Sequence, residues 1–295
     1  MLQSKNNATI PVFILHWNRP EECLKTVHSF LDQDLPLEVS VLDNSSYPNK
    51  AEKLRTSVPC IINWIQLSEN KGWGGAFNIV LKQWLDADES EYCIISAHDT
   101  LLETGCLTML INAMESDKNI GILCPEYGKQ TTDLPKFSPI LGPRLINNIL
   151  PRPSGTIEYV DFAHATLLVF RRECLNKIGV FDERYFAYGD EYDISIRAKK
   201  MGWKVGILWG AIIINPITAS SKPIINYLLA RNTLLLAKVH GGFISSLCRV
   251  ILMLCRLPLT LWNRRSEKSI VIAKFLGIKD FIFSRYGRPP FDLLN

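Results

Sequence analysis

From Ile10 onward the chain alternates short apolar runs with longer amphipathic stretches. Val12 to Leu15 is a continuous apolar run, as expected of a strand buried on both faces. Pro20 to Leu31 follows, with proline at the first helical position and Glu21 and Glu22 in the first turn, and this predicts a helix. Leu37 to Leu42 reads as a second strand, Asn49 to Thr56 as a helix and Ile61 to Leu67 as a third strand. Gly75 to Leu85 then reads as a helix and Tyr92 to Ala97 as a fourth strand. Four such alternations within about a hundred residues predict an α/β fold with a Rossmann-like, mostly parallel central sheet flanked by helices.

Past Leu101 the rhythm loosens. A helix is predicted at Thr104 to Ser116 and a strand at Ile120 to Pro125. The proline- and glycine-studded stretch from Leu134 to Arg144 reads as a flexible loop, and Tyr159 to Phe170 returns as a strand containing His164. Arg171 opens a helix. Gly189 and Asp190 open another, Ile194, Ala198 and Met201 recur at helical spacing, Gly202 suits a left-handed stop, and Trp203 to Leu208 resumes as a strand. After Pro216 the chain turns helical, with Tyr227 to Val239, a break at Gly241-Gly242 and a strongly apolar run from Phe243 to Trp262. The organisation expected is therefore 1–100, 101–215 and a C-terminal helical appendage, 216–295.

The strand ends carry the candidate chemistry, because in open α/β sheets ligands sit outside the carboxyl ends of the strands. Those ends are polar: His16-Trp-Asn-Arg-Pro20, Asp43-Asn-Ser-Ser46, Ser68-Glu-Asn-Lys-Gly-Trp-Gly-Gly75 and His98-Asp-Thr100. No GxGxxG follows the first strand, which argues against a dinucleotide oxidoreductase, and the absence of GxxxxGK[ST] excludes a P-loop NTPase.

A second cluster lies later. Asp182, Glu183, Asp190, Glu191 and Asp193 crowd among Phe181, Tyr185, Phe186, Tyr188 and Tyr192. Ordinary helix chemistry explains some of them, since acids favour a first turn, Asp190 can cap and Asp193 can pair with Arg197. It does not use them all. A carboxyl held beside apolar rings has its charged form disfavoured, so its pKa rises toward the range of a general base that takes a proton from a hydroxyl.

Composition narrows the classes. With 295 residues, 47% of them hydrophobic, the chain is globular, and its net charge of +4 comes with no interleaved basic and aromatic stripe in the first two thirds, so no nucleic acid partner is expected. The eight cysteines contain no CxxC pair and several fall in apolar runs, which argues for buried thiols and against thiolate zinc. The N-terminal residues show no signal-peptide pattern, so a reducing cytoplasm is expected.

These motifs resemble family 2 glycosyltransferases of the GT-A fold, in particular the rhamnosyltransferase-like branch that builds bacterial surface polysaccharides such as O-antigen and capsule. The resemblance covers roughly residues 10–240. It rests on Pro11-Val-Phe-Ile-Leu-His-Trp-Asn-Arg-Pro20, Val41-Leu-Asp-Asn-Ser45, Asn70-Lys-Gly-Trp-Gly-Gly-Ala-Phe-Asn78, Ala97-His-Asp99, Gly179-Val-Phe-Asp-Glu183, Gly189-Asp-Glu-Tyr-Asp-Ile-Ser195 and Tyr227-Leu-Leu-Ala-Arg-Asn232. It implies that residues 1–100 bind a nucleoside diphosphate sugar, dTDP- or UDP-linked, and that 101–215 carry acceptor binding and catalysis. Asp43 would contact the donor's base, Asn18 and Arg19 would flank the nucleotide, and Asn70, Gly72 and Asn78 would shape the pocket.

By the same resemblance, Ala97-His98-Asp99 stands where the family has its Asp-x-Asp motif, so Asp99 would ligate Mg²⁺ or Mn²⁺ at the diphosphate with His98 beside it. Ala97 removes the first acid, and Asn215 stands in the region where the family commonly supplies a histidine ligand, so weak metal binding is expected. Asp190-Glu191 stands where the family usually has Glu-Asp, which leaves the base open between Glu191 and Asp190. The implied reaction is inverting transfer to a hydroxyl of a lipid-linked glycan. Two other readings stay open: a degenerate protein that binds sugar nucleotides without turning them over, and a sugar nucleotidyltransferase.

The C-terminal run is interrupted by Arg249, Arg256 and Pro258, so it is expected to lie on a membrane or pack on the body rather than to cross a bilayer. Arg249, Arg256 and Asn263 recur every seven residues. Arg264, Arg265, Lys268, Lys274, Lys279, Arg285 and Arg288 add a basic tail suited to anionic lipid. A peripheral position on the cytoplasmic face of the inner membrane is the corresponding expectation.

Overall fold

The structure, a computed structural model, describes residues 9–87, 89–128, 133–146, 152–215, 221–262 and 268–290. The first half follows the expected alternation: β1 (Ile10–His16), α1 (Pro20–Leu31), β2 (Leu37–Asp43), α2 (Pro48–Ser57), β3 (Asn63–Gln66), α3 (Gly72–Ala87) and β4 (Tyr92–Ala97). Then come β5 (Leu101–Leu102), α4 (Cys106–Ser116), β6 (Ile120–Tyr127), β7 (Leu134–Ser138), β8 (Gly142–Ile146), β9 (Ile157–Tyr159) and β10 (Leu167–Arg171). The chain continues with α5 (Arg172–Ile178), α6 (Asp190–Lys200), β11 (Lys204–Ile214), α7 (Lys222–Trp262) and α8 (Lys268–Ile282).

Among the described residues one sheet of nine strands runs β3-β2-β1-β4-β10-β6-β11-β5, with β9 on β11. Strands β1 to β4 pair in parallel, and β10 inserts antiparallel between β4 and β6. The sheet is thus continuous across residue 100. Strand alternation splits its side chains between two layers. Val12, Ile14 and Ile94 pack with Val27 and Phe30 of α1 and Leu110 of α4. Leu15, Cys93 and Phe170 pack with Phe77 and Leu81 of α3 and Ile194 of α6. Burying both faces is what makes these strands read as unbroken apolar runs.

Three stretches depart from the sequence reading. The supposed flexible loop at 134–144 is mostly a β-hairpin, β7 on β8. Its prolines fit because a two-stranded ribbon has only edges, where a missing N–H costs least. The single strand expected at Tyr159 to Phe170 is two, β9 and β10. Between them Asp161 N donates to Pro135 O of the hairpin and the His164 ring bonds to Pro125 O, so the chain leaves the sheet for seven residues before β10. Helix α3 starts at Gly72, three residues before the expected start. Its first N–H groups find partners elsewhere: Trp73 N donates to Phe186 O and Gly74 N to the Asp190 carboxylate.

At the C-terminus, the predicted break appears as Gly242 at φ +77 within α7. Before it, Tyr227, Leu234 and Leu236 are fully buried. The basic tail is not loose chain. Lys268–Ile282 folds as α8, and Gly277 lies so close to the Tyr227 carbonyl that a Cβ there would sit 2.4 Å from it. Asn263, Arg264 and Arg265 fall outside the described residues. Arg249 does not face outward as part of a basic stripe; its Nη1 donates to Ile140 O of the hairpin turn, and burial lowers its pKa to about 10.

Candidate functional site

Beyond the carboxyl ends of β1 and β4 lies a cavity of about 550 Å³. Asn70, Gly72, His98, Asp99, Asp190 and Glu191 line it together, so six of the ten residues named from the sequence share one wall system. Asn18, Arg19, Asp43 and Asn78 stand behind it. Asn18 ties two strand ends together: its N donates to Ser46 Oγ and its Oδ1 accepts from Tyr47 N at 2.7 Å. Asn78 is pinned to the backbone of Phe181 in both directions and donates to Glu183. Arg19, which immediately precedes α1, lies 3.6 Å from Glu22 in that helix's first turn.

Asp43 is fully buried and its carboxylate is already used. The β1/β2 register sets it beside His16, whose Nδ1 lies 2.6 Å from Oδ2, while Ser46 N and Gln66 Nε2 donate to Oδ1. His16 Nε2 accepts from Arg19 N, so the proton sits on Nδ1. Burial alone would raise the Asp43 pKa, but the bonds from His16, Ser46 and Gln66 outweigh it and leave it lowered. A base reaching Asp43 must take the place of Gln66 or share its acceptor.

At the other end of the cavity the acid cluster sorts itself. Asp182 pairs with Arg184, Glu183 accepts from Asn78, and Asp193 bonds to Arg197 at 2.7 Å and to His240 of α7 at 2.8 Å. That leaves Asp190 and Glu191 for the cavity. Asp190 does not cap its helix; its Oδ2 accepts from Gly74 N at 3.0 Å, and Glu191 Oε2 accepts from Gly189 N at 2.7 Å. Burial, then the charge and hydrogen bond of Glu191, push the Asp190 pKa well up. Burial thus biases Asp190 toward its protonated form beside Glu191.

Asn215 meets Asp99, donating from Nδ2 to Oδ1 at 2.9 Å. His98 Nδ1 donates to Leu15 O, and its buried Nε2 has no partner among the described residues. His164 also lines the cavity, with Nε2 bonded to Pro125 O and burial driving its pKa down to about 4, so it is neutral at physiological pH.

The profile of glycosyl transferase family 2 matches residues 12–179. The chain belongs to that family. The glycosyltransferase is 24% identical over 207 residues to N-acetylglucosaminyl-diphospho-decaprenol L-rhamnosyltransferase of Mycobacterium tuberculosis, a match covering 59% of this chain and 64% of the relative, just under two thirds of its length. Its fold is GT-A and is shared with solved glycosyltransferases. A Pyrobaculum calidifontis mannosyltransferase in complex with GDP-Man and Mn²⁺ superposes with TM-score 0.56 at 15% identity, over 95% of this chain and 89% of that one. GalNAc-T7 with UDP, GalNAc and Mn²⁺ gives TM-score 0.62 at 16%, over 97% and 59%.

The residues fit a divalent ion held in a particular way. Among the described residues no group of three or more His, Cys, Asp or Glu side chains forms a metal site. Asp99 supplies one carboxylate, whose Oδ1 accepts from Asn215. Mg²⁺ in phosphate sites typically takes one or two carboxylates and completes its shell with substrate phosphates and water. Sequence reasoning did not single out Asn44, whose side chain bonds Asn70, Gly72 O and Lys71 N and so shapes the glycine turn. Its position in Leu42-Asp-Asn-Ser45 was the available signal. Asn232 was quoted for resemblance without a role, and its partners lie in a loop distant in sequence.

Proposed function

We propose that this cavity transfers one sugar from a dTDP- or UDP-linked donor to a hydroxyl of a lipid-linked surface glycan, with inversion. The observation that carries the reading is a single cavity lined both by Asp99, suited to a diphosphate-bound cation, and by the Asp190–Glu191 pair. A bound Mg²⁺ or Mn²⁺ held by Asp99 would neutralise charge on the leaving diphosphate. Glu191 takes the acceptor's hydroxyl proton. The freed oxygen pair forms the new bond to the anomeric carbon, and the C–O bond to the diphosphate breaks with its electrons leaving on the nucleotide. Asp190, whose burial favours its protonated form, supports Glu191 from beside it. The rhamnosyltransferase relative, whose name specifies a diphospho-decaprenol acceptor, supports the lipid-linked class.

A thermal-shift panel of sugar nucleotides with and without Mn²⁺ tests the reading, since ligand at a hundred times its Kd stabilises the native state by about 2.7 kcal/mol. The expected result is a rise in Tm with a dTDP- or UDP-sugar, larger with Mn²⁺, together with slow donor hydrolysis. Stabilisation without any hydrolysis or transfer would identify a binder, and no stabilisation by any sugar nucleotide would remove the proposal. In the same assay Asp43→Ala is expected to weaken nucleotide binding about tenfold or more, as for loss of a hydrogen bond to a charged group. Unchanged affinity by calorimetry would take the base contact away from Asp43.

The C-terminal helices support a peripheral position on the cytoplasmic face of the inner membrane. Lys222–Pro258 is long and apolar enough to cross a bilayer by length and composition, with one third of its most apolar window buried. Tyr227 to Ala237 belongs to the core, so the bilayer-facing part is the later half. There Phe243 and Ile244 are 72% and 76% exposed, and Leu247, Ile251 and Leu254 fall within the same arc. On α8, Ile272, Phe275 and Ile282 are exposed alongside Lys268 and Lys279. Apolar and cationic contributions together give stable but reversible anchoring. Truncation at Phe243 would strip α8 from the core, so point changes are the cleaner probe. Phe243→Asp with Ile244→Asp is expected to release the protein from phosphatidylglycerol liposomes in low-salt sedimentation. A parent protein that stays in the supernatant would end the membrane assignment.

A further inference from the structure

The segment that delivers Asp190 and Glu191 to the cavity has a backbone it would not hold alone. Phe186, Tyr188 and Gly189 lie at φ +67, +60 and +124, a region that L side chains rarely occupy and that persists only when the surroundings impose it. Part of the constraint comes from α3, where Trp73 N donates to Phe186 O. A further part converges on one atom of α7. Asn232 Nδ2 lies 2.8 Å from Tyr185 O, 2.7 Å from Ala187 O and 2.8 Å from Tyr188 O.

The amide is aimed with care. Its Oδ1 accepts from Arg231 Nε at 3.0 Å, which orients the NH₂ toward the loop, and Arg231 Nη2 adds a bond to Tyr185 O at 3.1 Å. Asn232 is fully buried, and a Cβ built on Gly189 would stand 3.3 Å from its own Cβ, so the side chain also packs on the residue before Asp190. Asn232 does not line the cavity.

We infer that Asn232 is a positioning residue for the transfer reaction: it clamps three carbonyls of the 185–188 turn so that the Asp190–Glu191 pair points into the cavity. The inference rests on Glu191 as base. Glutamine, aspartate and alanine cannot replace it: Gln is longer, Asp presents acceptors to carbonyls, and Ala leaves the carbonyls without a donor. Misplacing a reacting group by about 1 Å costs roughly a hundredfold in rate, so the effect falls on kcat.

The test is steady-state and single-turnover kinetics of the full-length enzyme with its best donor, for Asn232→Ala and the isosteric Asn232→Asp, each well below its own Tm. The expected result is a fall in kcat of about thirtyfold to a hundredfold, with donor KM and affinity for the donor's nucleoside diphosphate (UDP or dTDP) within about twofold of the parent. A purely structural role would lower Tm and leave kcat per folded molecule unchanged, which would overturn the inference. The decisive measurement is the double variant with Glu191→Gln. A residue that acts through Glu191 adds little to a chain already lacking the base, so the two penalties are strongly non-additive. Full additivity would overturn the positioning role. Near-parental transfer by Glu191→Gln alone would instead remove the base assignment beneath it. If Asn232→Ala is too unstable to assay, Asn232→Asp, which keeps the volume, carries the comparison; stabilisation by UDP or dTDP, whichever stabilises the parent, identifies a folded variant.

Discussion

Glu191→Gln lowers single-turnover transfer by about a hundredfold to ten-thousandfold while donor affinity hardly changes, the range a positioned general base contributes. The expectation follows from how the neighbouring acids are engaged. Asp182, Glu183 and Asp193 are held by Arg184, Asn78, Arg197 and His240, so none is available to a substrate hydroxyl. Asp190 is buried, and its pKa is driven well up by that burial and by Glu191. An acid biased toward its protonated form is the poorer of the two acceptors for a hydroxyl proton. Asp190→Asn, a neutral mimic of the protonated acid, therefore retains much more transfer activity than Glu191→Gln. The reverse order of rates would move the base to Asp190.

The same arrangement makes a prediction about stability. A carboxyl whose folded pKa exceeds its ordinary 3.8 holds a proton in the native state that the unfolded chain releases. Stability from this group is complete below 3.8 and is lost as pH rises toward the folded pKa. Asn does not titrate, so Asp190→Asn should be at least as stable as the parent at pH 8, with the advantage shrinking toward pH 4. Urea unfolding at the two pH values reads this directly, and a variant equally destabilised at both would mean that Asp190 is ionised in the native protein.

How far the sequence carried depended on whether the information was local. Pro20 at N1 with Glu21 and Glu22 behind it, and the unbroken apolar run of Tyr92 to Ala97, specify element type within a few residues, and both elements appear at the expected bounds. The hairpin at 134–146 was not legible because its pairing partner, rather than its prolines and glycines, decides that it is a strand pair. The break between β9 and β10 was hidden for a related reason: Val160 to Ala163 is as apolar as a strand but packs under α6 and the hairpin. In the site, residue types at strand ends marked Asn70, His98 and Asp99. Nothing local distinguishes Asp190, which binds across to Gly74, from an acid that caps its own helix. The clamp by Asn232 joins positions far apart in the chain, and only the folded structure reveals it.

Gly72→Ala should be among the most damaging small substitutions in the protein, with a loss of about 3 kcal/mol or more. Two effects add. Gly72 has φ +75, where an L residue costs roughly 1–2 kcal/mol. A Cβ there would also stand 2.1 Å from Phe186 O and 2.7 Å from the Phe186 ring, and overpacking against backbone costs typically 1–3 kcal/mol because the neighbour must shift. The neighbour is the carbonyl that accepts from Trp73 N, within the turn that leads to Asp190, so relief of the clash moves the acid pair and turnover falls with stability. Gly105→Ala provides the control. Gly105 has nearly the same φ, +77, with nothing within 4 Å of a built Cβ, so it reports the backbone effect alone. Urea unfolding should place Gly72→Ala at least 1 kcal/mol below Gly105→Ala, with transfer impaired only in the former. Equal losses in the two variants would mean that the approach of Phe186 to Gly72 is loose in solution, and that the glycine serves the turn without gripping the catalytic loop.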